Sequence, residues 1–396
     1  MTTWEGRDPT SGRVLRVSPF ADSGVISEVR ASRSAAADLP WLVPGYVDLQ
    51  VNGYGGYDVN GPDVTPETIG DLADALARRG TTTFVPTVIT GSEEAITASL
   101  RAVALARRSD PRLARAVPFA HVEGPFIAEE DGPRGAHDLN HVRPPSLAEL
   151  DRWQEASDGV VGMVTISPHH PGAAEFTAGA VARGVQVAVG HTSATAEEIR
   201  AVVDAGATLS THLGNGAHAV LPRHPNYIWA QLADDRLRAG FIADGHHLPA
   251  DTLTAMLRAK GLERSFLVSD SVALAGMPAG TYDTPVGGQV ELSADGRLVV
   301  AGTPYLAGAV RCLAECVAAA WTMTGLPVAD VVRLATANPA RVLAEQAAAR
   351  AGRSSSTRAV AVPPGRITPG APADLLLLDP ETAEVREVVR GGEVLA

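Results

Sequence analysis

The sequence predicts an α/β protein: a parallel (β/α)8, TIM-type barrel joined to a small β-rich domain built from both chain termini. Two observations carry this. Between Gly45 and Asp270, eight short β-branched runs alternate with stretches of helical periodicity, the pattern of parallel strands with crossover helices. Outside them, residues 1–43 and 365–396 carry short alternating runs with turn residues, and chain termini often lie close enough to pair. The length of 396 residues holds a barrel of about 250 residues with such a domain to spare.

Each barrel element follows from its residues. The expected strands are Gly45–Val51, Thr81–Thr87, Val117–Glu123, Val160–Ser167, Val185–Gly190, Ala207–Leu213, Ala239–Asp244 and Ser265–Asp270. Amphipathic stretches at Pro66–Arg79, Glu93–Arg108, Ser146–Ala156, Ala196–Ala205 and Pro249–Lys260 predict helices between them. Ala309–Trp321 and Ala329–Ala335 are expected to complete the outer ring, placing the barrel over 44–346. The stretch 347–364, with Ser354-Ser355-Ser356 and Pro363-Pro364, reads as a flexible loop. A doubly wound open sheet is the alternative, but no Gly-rich dinucleotide turn follows any strand.

Composition narrows the function. Hydrophobic residues make up 45% and charged residues 20%, enough apolar mass for a large core. The net charge of −12 argues against a nucleic-acid groove. No run reaches the ~18 to 20 apolar residues of a membrane span, and Met1–Arg7 lacks a signal-peptide core. The expectation is a cytoplasmic protein that binds neither membrane nor nucleic acid. Cys312 and Cys316, four apart in an apolar run, read as core thiols on one helix face. The single lysine, Lys260, sits before Gly261 at an expected helix end, a solvated position, so Schiff-base and carbamylated-lysine chemistry is set aside. No Gly-x-Ser-x-Gly turn points to a serine nucleophile.

All eleven histidines fall between His121 and His247. Several expected strands also end in Glu, His or Asp, at the barrel face where catalytic residues sit. Glu123, His191 and His212 supply one carboxylate oxygen and two imidazole nitrogens, a set that suits a catalytic Zn2+ with a fourth position for water. Asp270, at the last strand's end, could take that water's proton and pass it to a leaving nitrogen. Hydrolysis of an amide or related C–N bond is the implied reaction.

The runs His121-Val122-Glu123-Gly124-Pro125-Phe126, Gly135-Ala136-His137, Gly190-His191-Thr192, Thr211-His212-Leu213-Gly214-Asn215, Ile242–His247 and Val268-Ser269-Asp270 resemble, in order, the N-acetylglucosamine-6-phosphate deacetylase family of the amidohydrolase superfamily. The resemblance implies a homodimeric deacetylase of an N-acetyl amino-sugar phosphate, principally N-acetylglucosamine 6-phosphate. It assigns Glu123, His191 and His212 to the metal, Asp270 to acid/base work and His137 to polarising the acetyl carbonyl. Gln50-Val51-Asn52 stands where other superfamily members carry His-x-His, implying one divalent ion, Zn2+ first, with Fe2+ or Mn2+ compatible. Substrate contacts are implied for Ala136, Asn215, Gly216, Arg223, His247, Leu306 and Gly308, with Arg223 reaching across a dimer. The segment Gly214–Trp229 departs from the family: Gly216, His218 and His224 replace expected residues, and Tyr227 and Trp229 add bulk. Two rivals stay open, an amidohydrolase acting on an unphosphorylated or modified N-acyl amino sugar and a non-catalytic sugar-binding barrel.

Overall fold

Eight parallel strands pair in chain order: β1 (Tyr46–Val51), β2 (Thr81–Ile89), β3 (Ala120–Glu123), β4 (Val161–Ile166), β5 (Gln186–Val189), β6 (Leu209–Ser210), β7 (Arg238–Ile242) and β8 (Ser265–Val268). The ring is closed beyond the ends of β1 and β8, where Asp270 N donates to Gln50 O at 3.0 Å and Asn52 N to Ser271 O at 2.8 Å. The structure, a computed structural model, describes residues 3–20, 23–34, 38–284, 288–352 and 362–395. Every residue of β1, β3, β4 and β8 is buried, because helices cover the outer face while side chains fill the centre. Leu49, Val85, Met163, Leu209, Phe266 and Val268 belong to that inner layer.

The helices start where the sequence supplies caps. Thr65 and Thr68 form a capping box for Pro66–Arg78, and Thr195 and Glu198 form one for Ala196–Asp204. The first buries Ile69, Leu72, Ala73 and Leu76, one stripe at helical spacing, against the barrel.

Both termini do enter one sheet. Its seven strands run in the order Glu393–Val394, Val385–Arg390, Leu375–Leu378, Trp41–Pro44, Trp4–Arg7, Val14–Pro19, Ile26–Ala31. Leu375–Leu378 lies antiparallel to Trp41–Pro44, with Leu375 opposite Pro44 and Leu378 opposite Trp41. The second partner leads into β1 across Gly45 alone, so sheet and barrel share one continuous backbone.

Several expectations are corrected. Lys260 is fully buried: its Nζ donates to Gln231 O at 2.8 Å and Asp234 O at 2.7 Å, covering carbonyls at the end of helix Tyr227–Ala233. Burial lowers its pKa to about 8. Cys312 and Cys316 are buried free thiols, but Cys312 is the N-cap of helix Leu313–Thr324 rather than a residue on its face. That helix starts later than expected because Ala309 is held beside Ser271 in a bridge that extends β8. A three-stranded antiparallel sheet, Gly280–Thr284, Gly288–Leu292 and Leu298–Val300, occupies the stretch before it and was not expected. Helices Pro111–Ala116, Ala173–Ala182 and Tyr227–Ala233 are further elements without a counterpart among the expected ones. The first residues of the expected loop 347–364 continue helix Ala337–Ala351, and 353–361 lie outside the described residues. Among the described residues no helix is long and apolar enough to cross a membrane.

Candidate active site

Glu123 is the last residue of β3, and His191, His212 and Asp270 each lie two residues beyond the ends of β5, β6 and β8. His191, His212 and Asp270 have φ of 46°, 25° and 50°. Left-handed backbone costs a residue with a Cβ on the order of 1–3 kcal/mol, and it turns these side chains off the strand line toward the mouth of the barrel. Strain at three site residues marks where packing has been subordinated to function.

The three groups expected to hold a metal do converge. Glu123 Oε1 lies 2.9 Å from His212 Nε2 and 3.3 Å from His191 Nε2, and the two imidazole nitrogens are 3.1 Å apart. All three residues are buried. His191 Nδ1 donates to Pro133 O at 2.7 Å, so Nε2 of the neutral ring presents a lone pair. Two ring lone pairs and a carboxylate oxygen at mutual contact are satisfied together by a divalent cation, and the residues fit one. Burial would raise the Glu123 pKa, but where a proton rather than a cation sits on the facing ring nitrogens, hydrogen bonds from His191 and His212 hold it well below the usual range. At His212 burial acts downward and is outweighed by the Glu123 hydrogen bond and charge, which raise its pKa to about 9. Gln50 Nε2 donates to both Glu123 oxygens at 3.0 Å, fixing the carboxylate plane.

Around this set stand further titratable groups. The Asp270 carboxyl is pushed up to about 6, chiefly by burial and then by the Glu123 charge. Asn52 Nδ2 donates to Asp270 Oδ1 at 2.8 Å, a bond that does not engage Oδ2. Beneath it, Asp48 accepts from Ser269 N at 3.2 Å and anchors the backbone that delivers Asp270. The His137 ring stands edge-on to His191 with centroids 4.4 Å apart, and Thr90 Oγ1 engages its Nδ1 at 2.8 Å. Burial lowers the His137 pKa to about 3, so the ring is neutral. A neutral imidazole bound at Nδ1 can donate from Nε2. The roles of Asp48, Gln50, Asn52 and Thr90 were not expected.

The residues expected to contact substrate are placed less uniformly. Asn215 turns back on His212, its backbone N donating to His212 O at 3.0 Å. Gly216 follows at φ 54°, and a Cβ there would lie 2.7 Å from His191 Nδ1, so only glycine leaves the ligand ring in place. His247 Nδ1 is held by Asp244 Oδ2 at 2.7 Å. Gly308 packs against Val272, two residues beyond Asp270, and Leu306 pairs with Val299 of the unexpected sheet. Ala136 is exposed beside His137. Arg223 is exposed and makes no hydrogen bond or ion pair among the described residues. Tyr227 is buried, its hydroxyl accepting from His218 N at 2.8 Å, whereas Trp229 is 54% exposed. Not every histidine serves the site: buried His121 bonds Thr165 Oγ1 at 2.7 Å, on a strand below it.

A parallel barrel whose rim gathers a buried Glu-His-His set and an adjacent raised-pKa aspartate defines a metal-dependent hydrolase. Residues 41–346 match the amidohydrolase family, and the chain belongs to it, a metal-dependent family that hydrolyses C–N amide bonds. It is 33% identical over 308 residues to an N-acetylgalactosamine-6-phosphate deacetylase of Escherichia coli O157:H7, covering 77% of this chain and 79% of that protein. It is 32% identical over 375 residues to the N-acetylglucosamine-6-phosphate deacetylase of Homo sapiens, covering 89% and 83%. The solved N-acetyl-D-glucosamine-6-phosphate deacetylase of Mycobacterium smegmatis superposes with a TM-score of 0.83 at 30% identity, covering 97% of this chain and 96% of that one. A point mutant of that enzyme has been solved in complex with N-acetyl-D-glucosamine-6-phosphate.

Proposed function

We propose that the chain hydrolyses the acetamide of an N-acetylhexosamine 6-phosphate, principally N-acetylglucosamine 6-phosphate, releasing acetate and glucosamine 6-phosphate. The observation that carries this is Asp270, half-buried and poised near pKa 6 within the field of the Glu123–His191–His212 set. Relatives named for amino-sugar-phosphate deacetylation support the substrate class. One Zn2+ is the proposed ion, with Fe2+ and Mn2+ suited to the same N/O donors. When bound, the ion supplies Lewis acidity and lowers the pKa of water towards ~7.

The side chains then divide the work. Asp270, as carboxylate, accepts a proton from the attacking water through Oδ2 and returns it to the leaving nitrogen. Neutral His137 donates from Nε2 to the acetyl oxygen as negative charge develops there. Ala136, Leu306 and Gly308 border the acetyl group, while Asn215, Gly216 and His247 hold the sugar phosphate. Arg223 suits the phosphate because a guanidinium gives two parallel hydrogen bonds. We place it across a homodimer contact: it has no partner among the described residues, and Val220 nearby is 86% exposed. The cytoplasm is the proposed compartment.

A second reading, N-acetylgalactosamine 6-phosphate as the preferred substrate, is favoured by the Escherichia coli relative and by the divergent segment Gly214–Trp229. Acetate release from both phosphorylated epimers and from unphosphorylated N-acetylglucosamine separates these. The expected result is the highest kcat/KM on N-acetylglucosamine 6-phosphate. Equal rates with and without the phosphate would defeat the phosphate claim, and a faster galactosamine epimer would establish the second reading.

A further inference from the structure

The rim carries another Glu-His-His group outside the set assigned above: Glu129 on the loop after β3, and His169 and His170 on the loop after β4. One ligand atom of each lies within 4.8 Å of the other two. Their hydrogen bonds fix which atoms carry lone pairs. Ser167 Oγ donates its only hydrogen to Thr192 Oγ1 at 2.8 Å, so its 2.6 Å contact with His169 Nδ1 is one it accepts. His169 therefore carries a proton on Nδ1, and in the neutral tautomer Nε2 is the lone pair. Nε2 faces Glu129 Oε2 at 3.2 Å, a pairing that a proton or a cation between the two atoms satisfies. His170 donates from Nε2 to Ile127 O at 2.9 Å, which leaves Nδ1 as its lone pair. Burial lowers the His170 pKa. The two rings lie 4.0 Å apart, tilted by 39°.

We propose that Glu129, His169 and His170 form a second divalent-cation site, with one carboxylate oxygen and two imidazole nitrogens as ligands and water completing the shell. The donor set suits Zn2+ or a similar borderline ion. Ser167 and the Ile127 carbonyl hold the two rings in their ligating tautomers, as Pro133 does for His191. Its consequence is mechanical. Glu129 lies on the loop that carries His137, so the ion ties this loop to the loop after β4. Glu130, the next residue, already ties it to the loop after β6 through His218 Nε2 at 2.7 Å. The competing occupant is a proton, which would make His169 an imidazolium paired with Glu129. The site stands whatever the substrate of the first set proves to be.

Zn2+ itself is the probe. Holoenzyme dialysed against micromolar Zn2+ at neutral pH, then desalted and analysed for metal, is expected to hold two equivalents per chain. Glu129→Gln and His170→Gln are each expected to hold one, with unchanged circular dichroism, and Glu123→Gln to retain the rim equivalent. A wild-type chain that holds one equivalent, or rim variants that still hold two, would overturn the proposal and assign the His169–Glu129 contact to a proton. If a variant fails to fold, wild-type stoichiometry with Co2+, read by visible absorption, decides between one ion and two.

Discussion

The two Glu-His-His groups on this rim share a donor set and differ in surroundings. Glu123, His191 and His212 are buried at strand ends, two of them in left-handed backbone, with Gln50 orienting the carboxylate and Asp270 close enough to feel its charge. Glu129 and His169 lie on loops with side chains 50% and 22% exposed, and among the described residues no carboxyl with an upward-shifted pKa accompanies them. Binding a cation and catalysing with one are thus separate demands. The second needs a neighbouring acid/base tuned by burial and a neutral donor, the roles proposed for Asp270 and His137 beside the first group.

That contrast is open to direct attack, and Asp270 is the sharpest place. Asp270→Asn is expected to lower kcat by about 10²–10⁴-fold, the usual worth of a positioned acid/base, while the metal content measured on the same sample is unchanged. In the wild type the group must be ionised to accept a proton, so activity rises with pH through the pKa. Burial puts that pKa near 6, and a bound cation favours the carboxylate, so the acid limb of kcat belongs at or below pH 6 and vanishes in the variant. A variant that keeps full activity would remove the feature that distinguishes the two groups.

Gly216→Ala probes the first group through its packing. The new Cβ meets His191 at 2.7 Å, and the expected result in chelator competition is metal affinity weaker by about 10–100-fold, with kcat restored at saturating metal. Smallest is Glu129→Gln. Without added metal it should shift stability by no more than ~0.5 kcal/mol in denaturant titration and leave kcat unchanged. Loss of activity there would merge the rim group into the catalytic machinery.

What the sequence disclosed follows the same division. Glu123, His191, His212 and Asp270 were legible because each ends a short strand-like run, a place where packing alone does not explain a charged or imidazole side chain. The residues supporting them were not. Gln50 reaches Glu123 across 73 positions, Asn52 reaches Asp270 across 218, and Thr90 reaches His137 across 47. Nothing near Asn52 in the chain announces its partner. Lys260 departs from expectation for a related reason: its place before Gly261 looks like a frayed helix end, and only the carbonyls of Gln231 and Asp234 make burial of an amine tolerable. The three strands between Gly280 and Val300 were not legible because most of the first two strands' residues face solvent, so little apolar alternation marks them.

The seam between Trp41–Pro44 and Leu375–Leu378 has a bearing on biosynthesis. At roughly 5–20 residues per second, a ribosome needs some tens of seconds to deliver the second strand after the first has emerged. Throughout that interval the nascent chain presents an open strand edge, Trp41-Leu42-Val43, immediately upstream of β1. A polypeptide released before Leu375 would keep that edge bare, a template for pairing with other chains, even with every barrel strand already made.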